Sequence, residues 1–170
     1  MAKPTASYEV LQHSQSARRS QLKTTSKILI VTLVVGIAGF LTESNGPLGT
    51  FWPPDSSMPP PVGAQLPLFM LLGVVEALAL GLGASFLLFG YPMMKANTSV
   101  SGPMTRAAHL SITWVLMNWW AHDSLHIHNG MYLNGLLRIE YGFHFTLIIS
   151  GLILARFFLA VVQAPARSSV

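Results

Sequence analysis

The sequence predicts an all-α integral membrane protein, a bundle of four transmembrane helices with a Pro-rich loop at its outer end. Three observations predict this fold class. Only 9% of the 170 residues are charged and 51% are hydrophobic, whereas soluble proteins carry roughly 25% charged residues. Four apolar runs approach the length of about 20 residues that a membrane-spanning helix needs. Nine of the ten Lys and Arg residues fall on one side of the resulting topology.

The four runs divide the chain in order. Residues 1–23 are polar and are predicted to form a flexible cytoplasmic tail. Residues 24–162 are predicted to be the transmembrane domain, and 163–170 a second short cytoplasmic tail. Within the domain, the predicted helices cover about 24–41, 66–90, 104–121 and 139–162.

The connections between the runs carry turn-forming residues. Residues 42–65 hold six of the eleven prolines, which favour polyproline II and turns over helix. Residues 122–138 contain Asn-Gly pairs at 129–130 and 134–135, and Asn-Gly is a strong turn signal. Both segments are therefore predicted to form a cap over the outer end of the bundle.

The charged residues predict the orientation. Because basic residues favour the cytoplasmic side, both termini are expected in the cytoplasm of a bacterial inner membrane or another plasma membrane. Only Arg138 lies on the outer side. The basic residues on the inner side are Lys3, Arg18, Arg19, Lys23, Lys27, Lys95, Arg106, Arg156 and Arg167. The acidic residues on the outer side are Glu43, Asp55, Asp123 and Glu140.

Composition also excludes several functions. The chain has no cysteine, which excludes disulfides, iron–sulfur clusters, thiolate zinc sites and cysteine nucleophiles. The pI of about 9.8 reflects scarce acids rather than a basic patch, so no nucleic-acid partner is expected. The expected partners are the lipid bilayer and, through small-residue helix faces, other membrane subunits or further copies of the chain.

The densest chemistry follows the third apolar run, where three of the six histidines lie within seven residues. His122 and His126 are four apart, so a continuing helix would present both imidazoles on one face. His128 forms an H-x-H pair with His126, which suits a shared metal if the helix has ended by then. Glu140 and His144, also four apart, begin the next helix.

These residues predict a transition-metal site at the extracytoplasmic face. Imidazole nitrogen suits zinc, copper or iron. The predicted ligands are His122 and His126, with a third among His128, His144 and Asp123. Asp123 and Glu140 are also candidate proton acceptors for a metal-bound water. The site is interpreted as catalytic, structural or metal-handling, and the alternative function is an accessory or structural subunit of a larger membrane complex.

The segment His122-Asp123-Ser124-Leu125-His126 resembles the zinc-peptidase motif H-E-x-x-H, with Asp at the Glu position. It is also similar to the H-x-x-x-H boxes of membrane desaturases and hydroxylases. Those enzymes use several boxes on the cytoplasmic side, whereas this chain has one, predicted to face outward. Haem is disfavoured because His109 and His144 lie at mismatched depths, and quinone binding near the outer histidines stays open.

Two further features concern the second apolar run. Glu76 is its only ionisable residue, and a carboxylate within a membrane is by default a functional hypothesis. The alternative is one interhelical hydrogen bond, for example to Thr113, Asn118 or His109. Small residues recur every four positions on the same helix and predict close packing against another helix. They are Gly73, Ala77, Gly81 and Ser85, and Gly151 and Ala155 form a similar pair in the fourth run.

Overall fold

The computed structural model describes residues 6–43, 46–49 and 53–164, with side chains from residue 24 onward. These residues form four helices and no strand, which confirms the all-helical class. The predicted tails at 1–23 and 163–170 lie partly outside the described residues. The helices are α1 (Ala6–Thr42), α2 (Gln65–Asn97), α3 (Gly102–Asn129) and α4 (Leu133–Gln163).

Every helix is longer than the apolar run that predicts it. α1 begins at Ala6 because no glycine or proline interrupts the chain from residue 5 to residue 35. α3 continues to Asn129, so residues 122–129 are helical, and only residues 130–132 separate α3 from α4. Hydropathy marks the part of a helix that suits lipid, whereas the backbone hydrogen bonds that extend a helix need no apolar side chains.

The turn between α3 and α4 uses one of the two Asn-Gly pairs. Gly130 has a φ of 57°, a backbone conformation that favours glycine, and its N–H donates to the His126 carbonyl at 3.0 Å. The Asn129 side chain donates to the Tyr132 carbonyl at 3.0 Å. The second pair, at 134–135, lies in the first turn of α4.

Three of the described helices are long and apolar enough to cross a membrane: Thr24–Thr42 of α1, Gln65–Asn97 and Leu133–Gln163. α3 is not among them, because it carries many polar residues. α3 packs against both α2 and α4, so many of those polar residues are buried between helices. They are Thr105, His109, Ser111, Thr113, Asn118 and Ser124.

The small-residue stripe of α2 is a packing face against α1. Ala77 and Gly81 are buried, and a Cβ added to Gly81 would collide with the Thr32 carbonyl oxygen of α1. The Thr32 hydroxyl donates to the Ser85 hydroxyl across the same contact at 3.0 Å. In α4, by contrast, a Cβ on Gly151 would meet no described atom within 4 Å.

Replacing Gly81 with leucine is expected to lower the free energy of unfolding by about 1–3 kcal/mol, because overpacking forces the helices apart. Gly151→Leu is the matched control, since the same side chain enters open space in the described structure. Both variants are compared with the wild type by thermal unfolding in detergent. Equal losses in the two variants would contradict the proposed α1–α2 contact.

The described part of the Pro-rich loop is attached to the end of α3. The Asp55 N–H donates to the Ile127 carbonyl at 3.0 Å, and the Met131 N–H donates to the Ser57 hydroxyl at 3.1 Å. The Ser57 N–H and hydroxyl donate to Asp55 Oδ1 at 2.8 and 2.6 Å. Residues 53–64 therefore mark one end of the bundle, called the cap end below.

Loop attachment is expected to weaken in acid. The hydrogen bonds from Ser57 hold the pKa of the Asp55 carboxyl below its ordinary value of 3.8. A depressed carboxyl pKa stabilises the attached loop above the ordinary value, and this stabilisation is lost as the pH falls through the lowered pKa. Hydrogen-exchange protection of the Ser57 and Met131 amides should fall in that range, and Asp55→Asn should abolish the dependence. The same acid loss in Asp55→Asn would contradict this role.

Candidate metal centre

Ionisable side chains from all four helical regions meet at the cap end. Together they form the His/carboxylate cluster, which contains three histidines and four acidic residues. Six of its members line a cavity of about 350 Å³ whose other walls are apolar. The cluster consists of Glu43 just after α1, Glu76 of α2, His122, Asp123 and His126 of α3, and Glu140 and His144 of α4.

His122 and His126 lie on one face of α3, as their four-residue spacing predicts. Their Nε2 atoms are 3.1 Å apart, and the ring centroids are separated by 4.4 Å. Both side chains are partly buried, and both contact residues of α4. The two imidazoles are therefore directed at one point between the helices.

Glu140 joins these histidines to α4. Its Oε1 lies 3.0 Å from His126 Nε2, and its Oε2 lies 2.7 Å from His144 Nδ1. The ring centroids of His122 and His144 are 5.4 Å apart. One ligand atom from each of His122, Glu140 and His144 lies within 4.8 Å of the other two. These three residues could hold a metal ion.

Asp123 determines which nitrogen of His122 faces the cluster. Asp123 Oδ1 lies 3.0 Å from His122 Nδ1, and a carboxylate oxygen accepts hydrogen bonds, so this contact favours the tautomer of His122 with its proton on Nδ1. In the neutral imidazole, Nε2 then presents its lone pair toward His126. A metal-binding histidine commonly has this arrangement, with the remaining N–H donated to a carboxylate.

His128 lies apart from the cluster. Because α3 continues to Asn129, the side chains at positions 126 and 128 point in nearly opposite directions, about 160° apart around the helix axis. The exposed His128 instead donates from Nδ1 to the Pro53 carbonyl at 3.0 Å. Of the alternatives for a third ligand, the structure brings His144 to His122 and leaves His128 at the loop.

Glu76 is a member of the cluster that local spacing did not identify. Only 6% of its surface is exposed, and its carboxyl group shares a hydrogen bond with Asp123. Two of the partners considered for it from the sequence have other contacts: His109 Nε2 lies 2.9 Å from the Phe86 carbonyl, and the Asn118 amide donates to the Trp114 carbonyl at 2.7 Å. The third, the buried Thr113 hydroxyl, has no hydrogen-bond partner among the described residues. The feature of the sequence that marks Glu76 as a candidate site residue is its position as the only acidic residue of an apolar run.

Glu43 reaches the cluster because α2 has a glycine opposite it. A Cβ added to Gly73 would collide with the Glu43 carboxylate. Burial and the nearby charge of Asp123 raise the pKa of the Glu43 carboxyl above its ordinary value. Among the described residues that line the cavity there is no Lys or Arg, so the basic side chains that face its four acidic residues are those of His122 and His126.

The chain matches no protein family, no curated protein and no solved structure. Two imidazoles and a carboxylate on one ion leave coordination positions for water or a substrate. The cavity beside His122 and Glu140 gives those positions space.

Proposed function

We propose that this protein is an integral membrane metalloprotein that binds a transition-metal ion between α3 and α4. The ligands are His122, Glu140 and His144, with His126 beside them. The convergence of these three ligand atoms to within 4.8 Å is the observation that carries the proposal. A set of two histidines and one carboxylate is typical of non-haem iron(II) and of catalytic zinc sites. Iron and zinc are thus favoured over copper.

In this proposal the two acids predicted as proton acceptors have different roles. Glu140 is a ligand, because its two oxygens lie beside nitrogens of two histidines. Asp123 orients His122 through the hydrogen bond to Nδ1. The open coordination positions suit Lewis-acid or redox chemistry on a molecule that enters the cavity.

The proposal places α3 in the membrane as a fourth span, with both termini in the cytoplasm and the cap end outside. Its support is the packing of α3 between two apolar helices and the distribution of Lys and Arg in the sequence. A reporter fused after Val170 should indicate the cytoplasm, and one inserted in residues 53–64 should indicate the outside. Opposite locations mean that an odd number of spans separates the two positions, as expected if α2, α3 and α4 all cross the membrane. The same location for both positions would contradict the fourth span.

Metal content tests the function. Protein purified in detergent is loaded anaerobically with Fe(II) or, separately, Zn(II), desalted, and analysed by mass spectrometry for metal. The wild type should retain stoichiometric metal, and His122→Ala/His144→Ala should lose most of it. His13→Ala/His128→Ala is the matched control, because it removes the same number of histidines and should keep the metal.

Two results would overturn the proposal. One is a folded wild type that retains no metal under either loading. The other is a His122→Ala/His144→Ala variant that retains as much metal as the control. A metal-free wild type that is recovered within a larger membrane assembly would instead favour the accessory-subunit alternative.

A further inference from the structure

We propose that the His/carboxylate cluster binds a second metal ion next to the first, with Glu43, Glu76 and Asp123 as its carboxylate ligands. The centre is then dinuclear. This inference rests on the proposed function, because the second ion adjoins the first through Asp123 and His126. It assigns a role to the acidic residues that the first ion does not use.

The number and origin of the ligands indicate more than one ion. The first ion uses three of the seven cluster residues, which leaves three carboxylates and His126. Each helical region supplies one carboxylate to the cluster. Dinuclear iron and manganese centres in helical bundles are built from carboxylates on each helix together with histidines on two of them. The carboxylates are Glu43, Glu76, Asp123 and Glu140.

The two halves of the cluster are in direct contact. Asp123 pairs with His122 at 3.0 Å on one side and with Glu76 on the other. His126 Nε2 lies 3.0 Å from Glu140 Oε1 and also lines the cavity that Glu43 and Glu76 enter. Paired metal ions are typically about 3.5–4 Å apart and share ligands of this kind. One cavity of about 350 Å³ has room for both ions.

The environment of the three carboxyl groups favours a cation. Glu76 is nine-tenths buried and lines the cavity, and two carboxyl groups in contact need either a proton or a cation between them. The remaining walls are the apolar side chains of Phe69, Leu72 and Ile127. Buried carboxylates persist where they are paired or coordinate a metal, and the lining offers no Lys or Arg as a partner, its basic side chains being His122 and His126.

Gly73 indicates that the approach of Glu43 is built into the packing. The Glu43 carboxylate occupies the space that any other side chain at position 73 would take. Glu76 follows Gly73 by one helical turn on the same face of α2. α2 thus supplies one ligand and the gap that admits another.

Metal stoichiometry and Mn(II) electron paramagnetic resonance test the second ion. The wild type loaded with Mn(II) should hold about two ions per chain and show the signal of an exchange-coupled pair. Glu43→Gln/Glu76→Gln keeps the shape of both side chains and should hold half as much metal, with the signal of an isolated ion. Asp55→Asn, an acidic residue of the loop outside the cluster, should behave as the wild type.

The outcomes separate this inference from the proposed function. A wild type with one uncoupled ion, unchanged in Glu43→Gln/Glu76→Gln, would overturn the second ion and leave the first. A wild type with no ion would overturn both. If the double variant fails to fold, Gly73→Ala provides the same test, because its added Cβ should displace Glu43 and lower the metal content. An unchanged content and signal in folded Gly73→Ala would count against Glu43 as a ligand.

Discussion

Glu140→Gln is expected to lower the affinity for the proposed metal ion between α3 and α4 by more than about 100-fold, beyond the 10–100-fold typical of residues that only orient a ligand. The reason is the central position of this carboxylate. Its two oxygens lie 3.0 Å from His126 Nε2 and 2.7 Å from His144 Nδ1. An amide of the same shape has a single oxygen and no negative charge, so it cannot replace the carboxylate as a ligand.

The affinity is measured by competition with a coloured chelator in detergent, with Zn(II) as the ion. Asp55→Asn is the control, because Asp55 is an acid at the same end of the bundle whose carboxylate accepts its hydrogen bonds from Ser57 of the loop. Circular dichroism establishes that each variant is helical. An affinity for Glu140→Gln equal to that of the control would show that the ion is bound elsewhere.

Asp123→Asn is expected to lower the affinity for the same ion by about 10–100-fold, although Asp123 is not one of its ligands. The contact with the Asp123 carboxylate favours the His122 tautomer with its proton on Nδ1, which leaves Nε2 free to coordinate. An asparagine can present its NH₂ group to Nδ1, which favours the tautomer with the proton on Nε2. In that tautomer the nitrogen that faces His126 is blocked.

The Asp123 measurement is made in the Glu43→Gln/Glu76→Gln background, so that the proposed second ion does not contribute. Nitrogen NMR of labelled histidine should show the His122 proton leaving Nδ1 in Asp123→Asn. In a His122→Ala background the Asp123 substitution should have no further effect, since the two residues act as one unit. Additive losses would contradict the orienting role.

The sequence was sufficient to predict features that lie within a single helix. Spacing of four placed His122 beside His126 and Glu140 beside His144, because residues four apart share a helix face. Apolar runs located three helices that are long enough to span a membrane. The apolar runs were shorter than the helices, since α3 continues through polar residues to Asn129, next to its cap at Gly130. The H-x-H pairing of His126 with His128 required the helix to have ended before that point.

Contacts between helices were beyond sequence reasoning. Glu43 and Glu76 are 33 positions apart, and their approach depends on the offset between α1 and α2. That offset follows from Gly81 beneath the Thr32 carbonyl and from Gly73 opposite Glu43. The small-residue stripe predicted a close contact but not which helix makes it or at what height. Glu76 was recognised as unusual, whereas its partner Asp123 emerged only from the packing of α2 against α3.

The sequential packing of the helices has a consequence for biogenesis. Within the described ranges, α4 packs extensively against α3 alone, and it leaves the ribosome after α1, α2 and α3. An ion held by His122 together with Glu140 and His144 would therefore crosslink α4 to the other described helices. Metal loading would then follow the insertion of α4, and in metal-starved cells α4 would be the first of the four helices exposed to quality-control proteases.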